Sequence, residues 1–231
     1  MPERQKPIGI FGGTFNPVHN GHLRLAEEAA DIFDLAYVRW VPAGQPLLRT
    51  KPEVCAKQRL KMVQLAIKGN LRFKLDTTEA KAPHPSYTVT TLERLRKANC
   101  YGSQQPLVLL IGADVFDRLN KWHRWAEIFN LAHIALALRP GFSVNLNMLQ
   151  KDLLQHYEKR LCNDPAELGM TPCGKIIPFS MTALDISATQ IRSLLADKKS
   201  IRHLLPDSLI SYIHHYHLYQ GNQPPNENSS A

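Results

Sequence analysis

The sequence holds no CxxC pair: its four cysteines, Cys55, Cys100, Cys162 and Cys173, are scattered through 231 residues. In a chain long enough to bury a sizeable core, that scatter argues against a disulfide scaffold and reads as free thiols in a reducing compartment. No apolar run approaches the roughly 18 residues of a membrane-crossing helix. The opening MPERQKPIGIFGG lacks an apolar leader core. A cytoplasmic protein with no membrane partner is therefore expected. The GxGxxG dinucleotide fingerprint, a Walker GK[ST] and the HExxH zinc pattern are all missing, and no internal repeat is visible. Acidic residues are in short supply, 20 Asp+Glu against 28 Lys+Arg, giving +8 and a pI near 9.4. This favours anionic partners, whether nucleotides, nucleic acid or an acidic surface, without choosing among them.

What is present is alternation. Short β-rich segments at Ile8–Phe11, Ala36–Val41, Leu71–Asp76, Pro106–Ile111, Ile134–Leu138 and Lys175–Phe179 are separated by stretches of helical spacing. Those stretches are Gly21–Phe33, Ala56–Ile67, Val89–Ala98, Asn145–Leu161, Ser187–Ala196 and Pro206–Tyr216. Thr90 and Glu93 suit a capping box for the third of them, and Ser187 with Gln190 for the fifth. Pro106–Ile111 is almost unbroken in its apolar character, as expected for a strand buried on both faces. The pattern predicts an α/β fold: a Rossmann-like, doubly wound parallel sheet with helices on both faces and a helical C-terminal portion. A single domain over residues 1–221 is expected, followed by a tail at 222–231 whose GNQPPNENSSA composition suits disorder.

The stretch GIFGGTFNPVHNGHLRLA, Gly9 to Ala26, sits at the first strand-to-helix turn. In a doubly wound sheet this turn is a common phosphate site. Gly12 and Gly13 let backbone approach a ligand, and the next helix directs free N–H groups and a positive dipole end at the same place. His19 and His22 are one turn apart, so their imidazoles share a face and are placed to donate to phosphate oxygens. Spacing alone leaves a second reading open: a glycine turn with two incidental surface histidines. Ser187, Thr189 and Arg192 likewise read either as a phosphate-holding helix start or as an ordinary capped helix with a surface arginine.

GGTFNPVHNGH resembles the signature of the nucleotidylyltransferase superfamily, HxGH after a GxFxP turn, and ISATQIR at Ile186–Arg192 resembles its ISSTxxR. Further matches are similar to the bacterial nicotinate-nucleotide adenylyltransferase family: PAGQPLLR at Pro42–Arg49, PSYTVTTL at Pro85–Leu92, LIGADVFDRLNKWHRW at Leu110–Trp125, RPG at Arg139–Gly141, and the ending SIRHLLPDSLISYIHHYHLY. The sequence departs from that pattern where Leu47 and Leu48 replace a Pro-His, where Ala188 replaces a serine and where His123 replaces a tyrosine.

The resemblance implies adenylyl transfer from ATP to nicotinate mononucleotide, giving deamido-NAD and pyrophosphate in NAD biosynthesis. Mg2+ would accompany ATP, with no protein metal site and no nucleic-acid partner. It implies His19, His22 and Arg192 as catalytic residues. Gly12, Gly13, Thr14, Asn16, Arg49, Ser187 and Thr189 would bind ATP or phosphate; the contact of the replaced histidine is either lost or supplied by Lys51. Tyr87, Thr88, Gly112, Asp114 and Trp122 would form the nicotinate-nucleotide pocket. From sequence alone Asp114 is equally a helix N-cap, and Trp122 and Trp125 at this spacing read first as core packing, a reading that only the resemblance reverses. The competing readings are nicotinamide mononucleotide as acceptor, a phosphopantetheine adenylyltransferase, a tRNA-charging enzyme and a non-catalytic nucleotide sensor. His214, His215 and His217 read as partly exposed helix residues. Nothing in the sequence sets an oligomeric state.

Overall fold

The computed structural model describes residues 5–45, 52–138, 144–182 and 184–220. Expectations for Arg49, Lys51, the Leu47-Leu48 departure, Arg139–Gly141 and the tail at 222–231 lie outside these residues. Six parallel strands form one sheet: β1 (Ile8–Gly13), β2 (Tyr37–Pro42), β3 (Phe73–Leu75), β4 (Leu107–Gly112), β5 (His133–Leu138) and β6 (Ile176–Ser180). Their spatial order is β3-β2-β1-β4-β5-β6. The chain first winds outward from β1 to β3, then returns to β4 beside β1. The winding reverses between β1 and β4, which opens a crevice at their carboxyl ends.

Period-two alternation along the strands supplies both helical layers with apolar surface. On β4, Val108 and Leu110 join the core shared with α1 (Asn20–Ile32), α2 (Ala56–Ala66), α7 (Ala188–Ala196) and α8 (Asp207–His215). Leu107, Leu109 and Ile111 face the other core, under α4 (Thr88–Leu95), α5 (Ala113–Phe116) and α6 (Lys151–Arg160). The aromatic centre of the first core lies directly behind the glycine turn. Trp40 is fully buried with Phe11 at 4.9 Å and Phe15 and Phe73 each at 5.3 Å. Burying one such side chain contributes roughly 2 kcal/mol.

The expected elements are present, with several corrections. The β3 ladder covers only Phe73–Leu75, because Leu71 stands almost wholly in solvent. The helix expected over Asn145–Leu161 is a 3-10 turn at Leu146–Met148 followed by α6. The cap of α4 lies three residues earlier than Thr90: Tyr87 is the N-cap, and the Thr90 hydroxyl donates to its carbonyl at 2.7 Å while facing its N–H at 3.3 Å. The cap of α5 is Gly112, and Asp114 sits inside the first turn. A short helix α3 (Thr78–Lys81) and the 3-10 turns Leu119–Lys121, Trp125–Asn130 and Pro165–Gly169 carry too few residues to show periodicity in sequence. Ser187 caps α7 as expected, its Oγ accepting from Gln190 N–H at 3.1 Å.

Two buried histidines make stability pH-dependent. His133 is held neutral, with Nε2 on Thr171 O at 2.8 Å and Nδ1 accepting from Lys175 N–H at 3.1 Å. Burial pushes both His133 and His19 down to about 4. The unfolded chain binds these protons near pH 6.5 and the folded chain does not. Stability is therefore complete above pH 7 and is lost as pH falls, at ~1.4 kcal/mol per pH unit for each histidine. In urea titrations between pH 6.5 and 5, His133→Asn is expected to show a slope of unfolding free energy shallower by about that amount; an unchanged slope contradicts the assignment.

Candidate active site

The glycine turn ends β1, and His19 follows it as the N-cap of α1, in extended backbone (φ −149°, ψ 171°). Its carbonyl accepts the first helical hydrogen bonds, from His22 N–H at 2.9 Å and Leu23 N–H at 3.2 Å. His22 is the third residue of the helix, and its Nδ1 accepts from the His19 N–H at 3.2 Å. With Nδ1 accepting, the tautomer that matches this bond carries its proton on Nε2, the nitrogen suited to donate to an anion. The two rings lie close and tilted, with centroids 3.7 Å apart and planes at 34°. Phe15 sits edge-on to His22 at 5.2 Å from a left-handed backbone (φ 47°). Such a conformation costs a non-glycine residue roughly 1–2 kcal/mol. His19 is buried, and its Nδ1 has no partner among the described residues.

Gly21 explains itself by proximity. A Cβ there would stand 3.1 Å from His19 Nδ1 and 3.2 Å from its Cε1. Ala is the better helix former by up to ~1 kcal/mol, so Gly21→Ala is expected to keep or raise thermal stability. The same change tilts the His19 ring and lowers kcat about tenfold, because displacements of this size in a preorganised site are costly. Parallel melting curves and steady-state rates check both halves; unchanged kcat overturns the close-packing account.

The second constellation arrives from β6 and α7. Thr189 and Arg192 lie on one face, with Arg192 Nη2 donating to Thr189 Oγ1 at 3.3 Å. Arg192 Nη1 donates to the carbonyl of Asn16 at 2.8 Å, and its Nε lies 3.4 Å from Glu53 Oε1. Two sequence segments 176 residues apart thus meet at the glycine turn. Further contacts clamp them. Glu28 of α1 accepts from Thr182 N–H at 2.8 Å and from its hydroxyl at 2.5 Å, and these bonds hold its carboxyl below the ordinary carboxylate value against the opposing effect of burial. Asn20 donates through its backbone N–H to Leu204 O at 2.9 Å and through Nδ2 to His203 O at 2.8 Å.

Sequence reasoning missed Arg59 altogether. It is 1% exposed, on the face of α2 that also buries Met62 and Val63. Its guanidinium donates to Thr14 O and Ala43 O at 2.7 Å, to Gly44 O at 2.5 Å and to Val54 O at 3.3 Å. No carboxylate pairs with it among the described residues. One buried cation therefore ties the β1 turn to the loop after β2. The available signal was positional: Arg59 stands three and four residues before two core residues of its helix.

Across the crevice, Gly112 ends β4 and a Cβ there would meet Asp114 Oδ1 at 2.6 Å, so Asp114 folds back over the strand end. Its charge also helps raise the neighbouring Asp117, for which burial is the larger cause. Tyr87 and Thr88 begin α4, and the Tyr87 ring packs on His123 at 4.3 Å. The His123 departure from a tyrosine thus keeps a planar partner for Tyr87. Trp122 is half-buried against the second core. Trp125 is packing: it lies edge-on to Phe129 at 6.2 Å and to His156 at 5.0 Å. No group of three His, Cys, Asp or Glu among the described residues is arranged to hold a metal ion.

A cytidylyltransferase-like family model matches residues 10–194. A Dechloromonas aromatica protein named "Probable nicotinate-nucleotide adenylyltransferase" is 54% identical over 215 residues, covering 93% of this chain and 98% of its own. A Hydrogenovibrio crunogenus protein of the same name is 41% identical over 214 residues, covering 92% and 97%. The fold is similar to that of Plasmodium falciparum nicotinic acid mononucleotide adenylyltransferase complexed with NaAD, with a TM-score of 0.69 over 94% of this chain and 99% of that one at 15% identity. Its complex with APC gives a TM-score of 0.66 at 16% identity, with the same coverage. By sequence over nearly its whole length, the chain belongs to the nicotinate-nucleotide adenylyltransferases, within the cytidylyltransferase-like nucleotidyltransferases.

Proposed function

We propose that this chain transfers AMP from Mg·ATP to nicotinate mononucleotide, forming deamido-NAD and releasing pyrophosphate. The observation that carries this is the junction at Asn16, where Arg192 of α7 is bonded to the turn that leads into the His19–His22 pair. Hydrogen-bond donors and a fixed guanidinium gathered at a glycine turn suit a polyphosphate.

An oxygen of the nicotinate-nucleotide phosphate attacks the α-phosphorus of ATP, the bond to the bridging oxygen breaks, and pyrophosphate leaves with that electron pair. The attacking group is already an anion at neutral pH, so the protein's task is positioning and charge stabilisation. His22 donates from Nε2 to the reacting phosphates, and His19 packs against it and sets its place at the helix start. The backbone of Gly12, Gly13 and Thr14 holds the phosphate chain ahead of α1, with Asn16 beside it. Arg192, Ser187 and Thr189 take the departing pyrophosphate, and the family resemblance adds Arg49 as a further cation for it. Asp114, following Gly112, accepts ribose hydroxyls. Tyr87, Thr88 and Trp122 receive the nicotinate ring and its carboxylate. Mg2+ would accompany ATP as part of the substrate and would offset the charge of its phosphates.

Incubation with Mg·ATP and nicotinate mononucleotide is expected to give dinucleotide and pyrophosphate in equal amounts. AMP formed without dinucleotide would identify a hydrolase instead.

A further inference from the structure

After α8 the chain turns back on the site through Tyr219, which is buried and adopts a left-handed backbone (φ 65°). Its hydroxyl donates to Asn16 Oδ1 at 2.7 Å, across 203 residues of sequence. Arg192 holds the carbonyl of the same Asn16 at 2.8 Å, so backbone and side chain of this residue are each pinned by a separate partner.

A carboxamide has two nearly isosteric orientations, one presenting NH2 and the other an oxygen. Beside a phosphate the two are opposite in effect: the NH2 donates to the anion and the oxygen repels it. Tyr219 occupies Oδ1, and no described residue accepts from Asn16 Nδ2. We infer that Tyr219 is a positioning residue for ATP, fixing the Asn16 amide so that Nδ2 faces the phosphate chain; this rests on the placement of Asn16 at the phosphates proposed above. The phenol is a durable donor for the task. Burial drives its titration well above the ordinary tyrosine value, against the opposing pull of Arg192 and Arg59. Both guanidiniums are engaged elsewhere, Arg59 on four loop carbonyls and Arg192 on Asn16 O, Thr189 and Glu53, so neither takes the Tyr219 oxygen's place on Oδ1.

The test is a cycle of Tyr219→Phe, Asn16→Ala and the double variant, read as separate KM values for Mg·ATP and nicotinate mononucleotide. Tyr219→Phe is expected to raise the ATP KM about tenfold, the scale of one hydrogen bond to a charged ligand, and to leave the nicotinate-nucleotide KM within about twofold. Added to Asn16→Ala, Tyr219→Phe should change nothing more. KM does not depend on the folded fraction of a preparation, so the comparison survives a loss of stability. Asn16→Asp, which sets an anionic oxygen toward the phosphates, is expected to raise the ATP KM beyond Asn16→Ala. A normal ATP KM in Asn16→Ala overturns the placement of Asn16 and the inference with it. An impaired Asn16→Ala alongside a normal or additive Tyr219→Phe overturns the role of Tyr219 alone.

Discussion

His22→Ala is expected to lower kcat about a thousandfold while the protein stays folded. The magnitude is that of removing one preorganised donor from a site where charge develops. Nδ1 of His22 accepts from the His19 N–H and its ring stands edge-on to Phe15, so the imidazole is held in place before any substrate binds. The structural cost is small. The variant loses the capping contact at the start of α1, about 1 kcal/mol, together with the ring contacts to His19 and Phe15. Melting temperature, substrate binding and single-turnover rates together check this result. A loss confined to KM would make His22 a ground-state contact only, and a near-normal kcat would remove it from the chemistry.

The second large effect is predicted at Arg59. Arg59→Met keeps much of the side chain's bulk but leaves the carbonyls of Thr14, Ala43, Gly44 and Val54 without their common donor. Removing a buried hydrogen-bonded charge exposes its partners to the full desolvation penalty. A loss of roughly 3 kcal/mol in unfolding free energy follows, at about 1–3 kcal/mol for each carbonyl that finds no other donor, offset by no longer burying a charge. The surviving folded protein should also bind ATP more weakly, because the turn at Thr14 and the loop after β2 are no longer tied to each other. Denaturant unfolding with and without Mg·ATP separates the two consequences. A variant as stable as the parent would show that the carbonyls find other donors. Arg59→Lys should recover little, since one ammonium cannot serve four acceptors spread around a planar fork.

Most of the fold was legible because its signals are local. The apolar runs of β4 and β5 mark strands buried on both faces, and Ser187 with Gln190 writes its cap within four residues. The cap of α4 was misplaced because Tyr87 is no usual capping residue, whereas Thr90 and Glu93 look like one. Its actual cap is completed by the Thr90 hydroxyl folding back on the Tyr87 backbone. Single-turn elements such as Leu119–Lys121 offer no period to detect.

In the site, the histidine pair and the ISATQIR segment were visible as patterns, but their meeting was not. It depends on the Arg192 contact with a backbone carbonyl, and a carbonyl has no sequence signature. Arg59 was hidden for the same reason: in AKQRLKMVQLA it resembles one more surface cation, and its four acceptors are all main chain. Tyr219 acts across nearly the full length of the chain, where only the fold brings it to Asn16.

The central claim is that this site joins an adenylyl group to the nicotinate nucleotide. The most direct measurement is pyrophosphate release from Mg·ATP, with nicotinate mononucleotide and nicotinamide mononucleotide assayed side by side. Rapid release with the acid and little with the amide is the predicted result, since Thr88 and its neighbouring backbone N–H groups are to receive a carboxylate. Release with neither acceptor would contradict the claim outright, and equal release with both would keep the adenylyl transfer but remove the carboxylate pocket from α4.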